Sequence, residues 1–189
     1  MLKILLIFFG LSLDGFIVMM QKGATVRDLS EKNKIIYSLV YMAVNLITLA
    51  VGYGLAVTFD GVLPDGTAQI AIASMLIMAA GIYIAVKSFL NRPFIEKLDS
   101  NFNIYTLIPL AFFTNIKTMI VGIGFALLGV SLKSVILPAA AVTFLMSYTA
   151  LSFGYSHGAG EQRLIGIAGG TLMVILSAYT LFKVILAAV

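Results

Sequence analysis

The 189-residue chain contains no cysteine and only one histidine, His157. The lack of cysteine excludes disulfide bonds, thiolate metal sites and thiol redox relays. The sequence also lacks the H-E-x-x-H, G-x-S-x-G and P-loop signatures, so we do not expect an enzyme, and we expect no cofactor. His157 lies at the end of the fifth apolar segment, beside Gly158-Ala159-Gly160, and is interpreted as a loop residue.

Charged residues are also scarce. Twelve basic and eight acidic side chains make up 11% of the chain, whereas 61% of its residues are hydrophobic. A soluble domain is about 45–50% apolar, so the composition predicts an integral membrane protein surrounded by the lipid bilayer. The net charge of +4 comes mainly from residues between the apolar runs, which argues against nucleic acid as a partner.

Six apolar segments are long enough to cross a hydrocarbon core, which takes roughly 20 residues. Backbone groups in lipid must be satisfied within their own segment, so we predict an all-α membrane protein with six transmembrane helices. The segments run from about Leu2 to Met20, between Lys34 and Asp60, between Asp65 and Lys87, and from about Ile104 to Val130, Val135 to Gly154 and Leu164 to the C-terminus. The first is not interpreted as a removable leader, because Asp14 interrupts it.

The basic residues predict the orientation of the chain. Eight of them lie in three connections, at residues 21–34, 87–103 and 155–163, whereas the other connections and the termini hold three. Cytoplasmic loops of membrane proteins carry the excess of lysine and arginine. We therefore expect a multi-pass protein of the cell membrane, with these three loops in the cytoplasm and both termini outside.

Two charges lie inside apolar segments: Asp14 in the first and Lys117 in the fourth. An acid at the centre of a membrane helix costs about 3 kcal/mol or more, and such charges usually face the bundle interior and have a partner. At a rise of about 1.5 Å per residue, the two side chains differ in depth by roughly 8 Å, most of which a lysine can span. We expect an Asp14–Lys117 pair. The alternative is that Asp14 bonds to neighbouring helices and Lys117 extends outward.

The chain also repeats itself at a shift of 103 residues, which places Ser12 on Asn115 and Asp14 on Lys117. Two polar stripes have the same spacing at a shift of 102: Tyr41, Asn45, Thr48 and Gly52, and then Thr143, Ser147, Ala150 and Gly154. Three helices per half give the halves opposite orientations. We therefore predict a 3+3 inverted repeat, residues 1–100 and 101–189, with a site near the midplane where the halves meet.

Polar residues on these stripes and beside the two charges are candidates for a transport pathway: Ser12, Asn45, Thr48, Asn115 and Ser147. There they would supply neutral oxygens along the path of the solute. The alternative is that small and hydroxyl residues form the ordinary contact surface of membrane helices. Gly166-x-x-x-Gly170 is interpreted as packing, either within the chain or between two copies in a homo-oligomer.

Seven short motifs are spread along the chain: Leu11-Ser12-Leu13-Asp14-Gly15-Phe16, Lys22-Gly23-Ala24, Ala43-Val44-Asn45, Gly52-Tyr53-Gly54, Thr114-Asn115-Ile116-Lys117, Val121-Gly122-Ile123-Gly124 and Gly169-Gly170. In these motifs, and over essentially its whole length, the chain resembles the MntP-type manganese efflux pumps of the LysE transporter superfamily. The resemblance implies Mn²⁺ as the transported substrate and Asp14 as a metal ligand.

The chain departs from that pattern at two positions. Such pumps typically place an acid on the second helix and a second aspartate on the fourth, where this chain has Asn45 and Lys117. Manganese prefers carboxylate, carbonyl and water oxygens, so Lys117 would occupy the place of the cation. The leading hypothesis is small-cation efflux by alternating access. The others are a metal-independent exporter gated by an Asp14–Lys117 pair and a non-transporting membrane partner subunit.

Overall fold

The structure is a computed structural model that describes residues 2–26, 29–58, 67–90, 103–158, 160 and 162–188. Side chains at 2–4, 67, 162–163 and 183–188 are not described. Most of the predicted loop at 87–103 lies outside the described residues, and so does the boundary at residue 100 between the two predicted halves.

Six helices make up the described chain: α1 (Leu2–Thr25), α2 (Glu31–Thr58), α3 (Thr67–Leu90), α4 (Ile104–Leu127), α5 (Leu132–His157) and α6 (Gln162–Ala188). Each is long and apolar enough to cross a membrane, and the described residues include no strand. The prediction of an all-α membrane protein with six spans is confirmed.

Several helices extend further than hydrophobicity alone predicts. Residues 21–25 and 31–34 are helical, so the first connection is shorter than the predicted loop at 21–34. The interpretation of His157 as a loop residue is wrong, because His157 is the last residue of α5. Its ring stacks on Phe153 with centroids 4.8 Å apart. Gly158 caps the helix and adopts a φ of 78°, which favours glycine.

Helices α2 and α4 pack closely because glycine lies at their contact. Gly52 lies against the carbonyl of Met119, and a Cβ at Gly122 would lie 2.5 Å from the carbonyl oxygen of Leu49. A larger residue at either glycine would force the backbones apart. Asn45 contacts Thr118 and Leu49 contacts Gly122. Residue numbers thus rise together along the two helices, which run parallel.

Helices α1 and α5 make the same kind of contact with the same residue types. Gly154 lies against the carbonyl of Met20, and Gly23 lies against the carbonyl of Leu151. Leucine and glycine of α5 thus occupy the places of Leu49 and Gly52 of α2, at an offset of 102 residues. Methionine and glycine of α1 occupy the places of Met119 and Gly122 of α4, at an offset of 99.

The third close pair is α3 with α6. A Cβ at Gly170 would lie 2.5 Å from the backbone nitrogen of Ala85 and 2.6 Å from the carbonyl oxygen of Gly81. Gly166 lies against Ser88 of α3. The Gly166-x-x-x-Gly170 pair therefore packs within the chain. Helix α6 also contacts α1, and α3 contacts α4, so α3 and α6 lie against one helix of each of the other two close pairs.

Two hydrophobic clusters form the core. The rings of Phe8 and Phe125 stack with centroids 5.4 Å apart. They belong to the Phe8 cluster, which contains buried residues of all six helices: Ile7, Phe8, Leu11, Leu49, Ile77, Ala80, Ile84, Val121, Phe125, Val135, Ala139 and Met173. The Tyr41 cluster holds Met19, Met20, Leu29, Tyr41, Leu107, Ala111, Ala150 and Leu151. In α1, α2, α4 and α5, buried polar residues lie along the helix between members of the two clusters. We call them the polar layer: Ser12, Asp14, Asn45, Thr48, Thr114, Asn115, Lys117, Thr118, Thr143 and Ser147.

Candidate functional site

The polar layer contains an ion pair between α1 and α4. Nζ of Lys117 contacts Oδ2 of Asp14, and the two residues are 7% and 4% exposed. Each buried ion loses several kcal/mol of hydration, which only a well-placed opposite charge offsets. The contact therefore accounts for two charges that an isolated membrane helix would hold at high cost.

Asn45 connects three helices in the same layer. Its Nδ2 donates to Oγ1 of Thr143 on α5 at 2.9 Å, and its Oδ1 accepts from Oγ1 of Thr118 on α4 at 2.9 Å. Asn45 is buried, so these bonds satisfy an amide that would otherwise be costly in the core. Thr118 follows Lys117 directly, and the bond therefore fixes the turn of α4 that carries the buried ammonium.

A small cavity of about 10 Å³ lies in the polar layer. Four of the five neutral pathway candidates line it, with four further residues: Leu11, Ser12, Gly15, Tyr41, Asn45, Asn115, Thr143 and Ser147. Gly15 is needed here, because its Cβ would lie 2.6 Å from the Tyr41 hydroxyl. This space is about the least that can hold one water molecule, so it is too small for an open channel through the bundle.

Thr48 is the candidate that does not line the cavity. Its hydroxyl donates to carbonyls of its own helix, at 3.1 Å to Val44 and 2.9 Å to Asn45. Tyr41 and Thr143 do line the cavity, although sequence reasoning did not select them as site residues. Both lie on the polar stripes four residues before a selected residue, and that spacing was the available signal.

Two buried polar atoms face this region without a hydrogen bond: the hydroxyl oxygen of Tyr41 and Nδ2 of Asn115. The Asn115 amide approaches the Tyr41 hydroxyl, but no hydrogen bond of acceptable geometry joins them. Buried polar groups are normally satisfied, and exceptions mark a site for water or ligand, or a place where the structure changes.

A second polar group lies where α2 begins. Glu31 accepts a hydrogen bond from Lys34 at 2.7 Å and another from the hydroxyl of Tyr148 on α5 at 2.8 Å. Nζ of Lys34 also lies 5.6 Å from the centre of the Tyr155 ring, within cation–π range. We call these four residues the Glu31 latch, since they tie the start of α2 to α5.

The charge balance limits what the site can bind in this conformation. Among the described residues there is no group of three or more His, Cys, Asp or Glu side chains that could hold a metal ion. Lys117 already neutralises Asp14, and the cavity beside them adds neutral oxygens and amides. A cation therefore reaches a carboxylate here only if the ammonium of Lys117 moves away.

Comparison with known proteins places the chain in a family. The family described as "Putative manganese efflux pump" matches residues 28–181. The protein named "Putative manganese efflux pump MntP" of Desulfitobacterium hafniense is 27% identical over 182 residues, which is 96% of this chain and 94% of that protein. The protein of the same name from Acetivibrio thermocellus is 26% identical over 181 residues, 96% and 90% of the two chains.

A third relative of that name, from Klebsiella pneumoniae, is 26% identical over 171 residues, 90% of each chain. No solved structure matches the chain. The family match covers most of the six-helix bundle and includes both Asn45 and Lys117. The chain belongs to the MntP family of manganese efflux pumps.

Proposed function

We propose that this protein exports a small cation by alternating access, with Mn²⁺ as the leading candidate. The cation binds Asp14 in exchange for the ammonium of Lys117. The observation that carries the proposal is the buried contact between these two side chains. It supplies the one carboxylate of the polar layer together with a tethered cation that competes for it.

Competition follows from the size of the repulsion. At an effective dielectric constant of about 20, a unit charge about 4 Å from a divalent ion raises its energy by on the order of 8 kcal/mol. Both cations therefore cannot share the site. The lysine side chain has a flexible four-carbon stem, so the ammonium can withdraw when cargo arrives and return when it leaves. The returning ammonium keeps the empty site neutral in the membrane.

The two hydrophobic clusters suit the gates of such a transporter. In each of α1, α2, α4 and α5 the polar residues lie between them along the helix. Opening the packing on one side at a time exposes the polar layer to one compartment only. The small cavity volume fits this scheme, since passage then requires one cluster to separate.

The matched helix contacts support the proposed 3+3 inverted repeat. In an inverted repeat of this kind α1 corresponds to α4 and α2 corresponds to α5. The α1–α5 contact is then the counterpart of the α2–α4 contact, and both contacts contain the same leucine, methionine and two glycines. The offset of 99 between α4 and α1 is one helical turn shorter than the 103 of the sequence comparison. At the offset of 99 residues, Lys117 corresponds to Val18 and not to Asp14. The two charged residues therefore contact one another although they are not equivalent positions of the repeat.

Replacement of Asp14 tests the proposal in cells. Asp14→Asn removes the negative charge and keeps the shape, so we expect cellular manganese and manganese sensitivity to rise several-fold, as in a gene deletion. The matched control is Thr48→Val on the polar stripe, because the Thr48 hydroxyl bonds only to its own helix. This control should keep normal manganese content, measured by elemental analysis.

Two outcomes separate the competing functions. If deletion raises manganese and Asp14→Asn does not, Asp14 is not the cation site. If deletion itself leaves manganese unchanged, the charge balance favours the metal-independent exporter gated by the same pair. The lack of a three-ligand metal group among the described residues is the observation that keeps this second function in view.

A further inference from the structure

The contacts within the α1–α5 and α2–α4 pairs differ in kind from those between the pairs. Inside each pair, glycine lies against backbone carbonyls of the partner helix. Such contacts leave no side chain that could change rotamer to let the helices slide. Asn45 and Thr118 add a buried hydrogen bond inside the α2–α4 pair. Each pair is therefore built to move as one body.

Between the pairs, side chains make the polar contacts. The ion pair of Asp14 and Lys117 joins α1 to α4, and the bond from Asn45 to Thr143 joins α2 to α5. Helices α1 and α4 otherwise touch little. The cavity takes its lining from both pairs. The unsatisfied Tyr41 and Asn115 lie on the same boundary, on α2 and α4.

We infer that the two moving bodies of the transporter are the α1–α5 and α2–α4 pairs, each taking one helix from each half of the chain, and that the cargo site lies on the seam between them. The inference rests on the proposed alternating access and specifies how it occurs. Movement along the seam separates Asp14 from Lys117 and Asn45 from Thr143 while both glycine contacts stay closed.

The two ends of the seam are held differently. Where α2 begins, the Glu31 latch joins α2 to α5 through one hydrogen bond, from Tyr148 to Glu31, and a cation–π contact between Lys34 and Tyr155. Towards the other end, members of the Phe8 cluster such as Leu49 and Val135 close the same boundary with apolar side chains. Helix α6 packs by glycine contacts on α3 and also on α1, where a Cβ at Gly169 would lie 2.7 Å from the carbonyl oxygen of Gly10. Helix α3 contacts α4, with the Ile77 side chain against Gly124. By the same criterion α3 and α6 belong with the α1–α5 pair, and α3 meets α4 across the seam.

The absence of cysteine makes the seam measurable, because spin labels attach only where cysteine is introduced. Ile35 of α2, Ile108 of α4 and Ser156 of α5 are exposed. Labels at Ile35→Cys and Ile108→Cys report a distance within one pair. Labels at Ile35→Cys and Ser156→Cys report a distance across the seam. Pulsed electron paramagnetic resonance in bilayers without added cation then compares the two distances.

Two isosteric variants are compared in this background. Thr143→Val removes the Asn45 bond that crosses the seam, whereas Thr118→Val removes the Asn45 bond within a pair. We expect Thr143→Val to add or enlarge a second population across the seam, displaced by roughly 5 Å, which is one helical turn. The Ile35–Ile108 distance should stay single and narrow in both variants.

A cross-seam distance that remains single and unshifted in Thr143→Val overturns the inference. A shift between Ile35 and Ile108 of the same size also overturns it, because the pair would then not be one body. Since these distances are measured without cargo, they stand apart from the manganese measurement on Asp14→Asn. Either proposal can fail alone.

Discussion

Lys117→Asp is expected to create a strong manganese site in the purified protein. The substitution replaces the competing ammonium with a carboxylate that faces Asp14. Two carboxylates and the neutral oxygens beside them suit a hard dication. We expect the Kd for Mn²⁺ to fall by about 100-fold or more, or about 2.7 kcal/mol. The electron paramagnetic resonance signal of free Mn²⁺ measures this binding directly.

The control for this variant is Lys117→Met, which removes the competitor without adding a ligand. Its affinity should lie between those of the wild type and Lys117→Asp. In the absence of metal, Lys117→Asp should be less stable than wild type, because two buried carboxylates repel each other. Manganese should restore its Tm. Failure of Lys117→Asp to bind Mn²⁺ more tightly than wild type would contradict the proposed position of the site.

A double-mutant cycle should show that each charge of the ion pair is needed for stability only because the other charge is present. Removing one partner of a buried pair typically costs about 3–5 kcal/mol, because the other charge is left unpaired. We expect Lys117→Met to lower Tm by roughly 10 °C in a protein of this size. Asp14→Asn combined with Lys117→Met should restore most of this loss, since a neutral pair needs no counterion.

The same double variant separates a transporter from a structural subunit. If the pair works in transport, the double variant folds normally and fails to lower cellular manganese. If the pair is only a structural remnant, the double variant both folds and behaves as wild type. Additive losses of Tm in the two single variants and the double variant would contradict direct coupling between Asp14 and Lys117.

Hydrophobicity and isolated charges were sufficient to predict the spans and the contact partners. Six apolar runs allowed only helices, and two expensive charges in different runs pointed to each other. The polar stripes contain half of the residues that line the cavity, because residues at helical spacing share a face. Thr48 was selected on the same grounds, yet its hydroxyl bonds to its own backbone. Spacing does not distinguish a threonine that lines the cavity from one whose hydroxyl bonds to its own helix.

The pairing of helices between the halves could not be predicted from the sequence. Gly23, Gly52, Gly122 and Gly154 were visible, but a glycine in a membrane helix does not specify which helix approaches it. The exchange of partners between α1–α5 and α2–α4 depends on tertiary packing. The end of α5 was missed for a local reason, because His157 is polar and the helix continues until the positive φ of Gly158.

Binding of Mn²⁺ to Asp14 can be measured directly in the unmodified protein. Of the five aspartates in the chain, Asp14 is the one within the described membrane spans. Carbon-13 labelling of aspartate side chains, with Asp14→Asn for assignment, isolates its carboxyl resonance in bilayers. If Mn²⁺ displaces the Lys117 ammonium from Asp14, paramagnetic Mn²⁺ broadens this resonance beyond detection, whereas diamagnetic Ca²⁺ does not. A sharp Asp14 resonance at saturating Mn²⁺ would contradict exchange of the cation with Lys117.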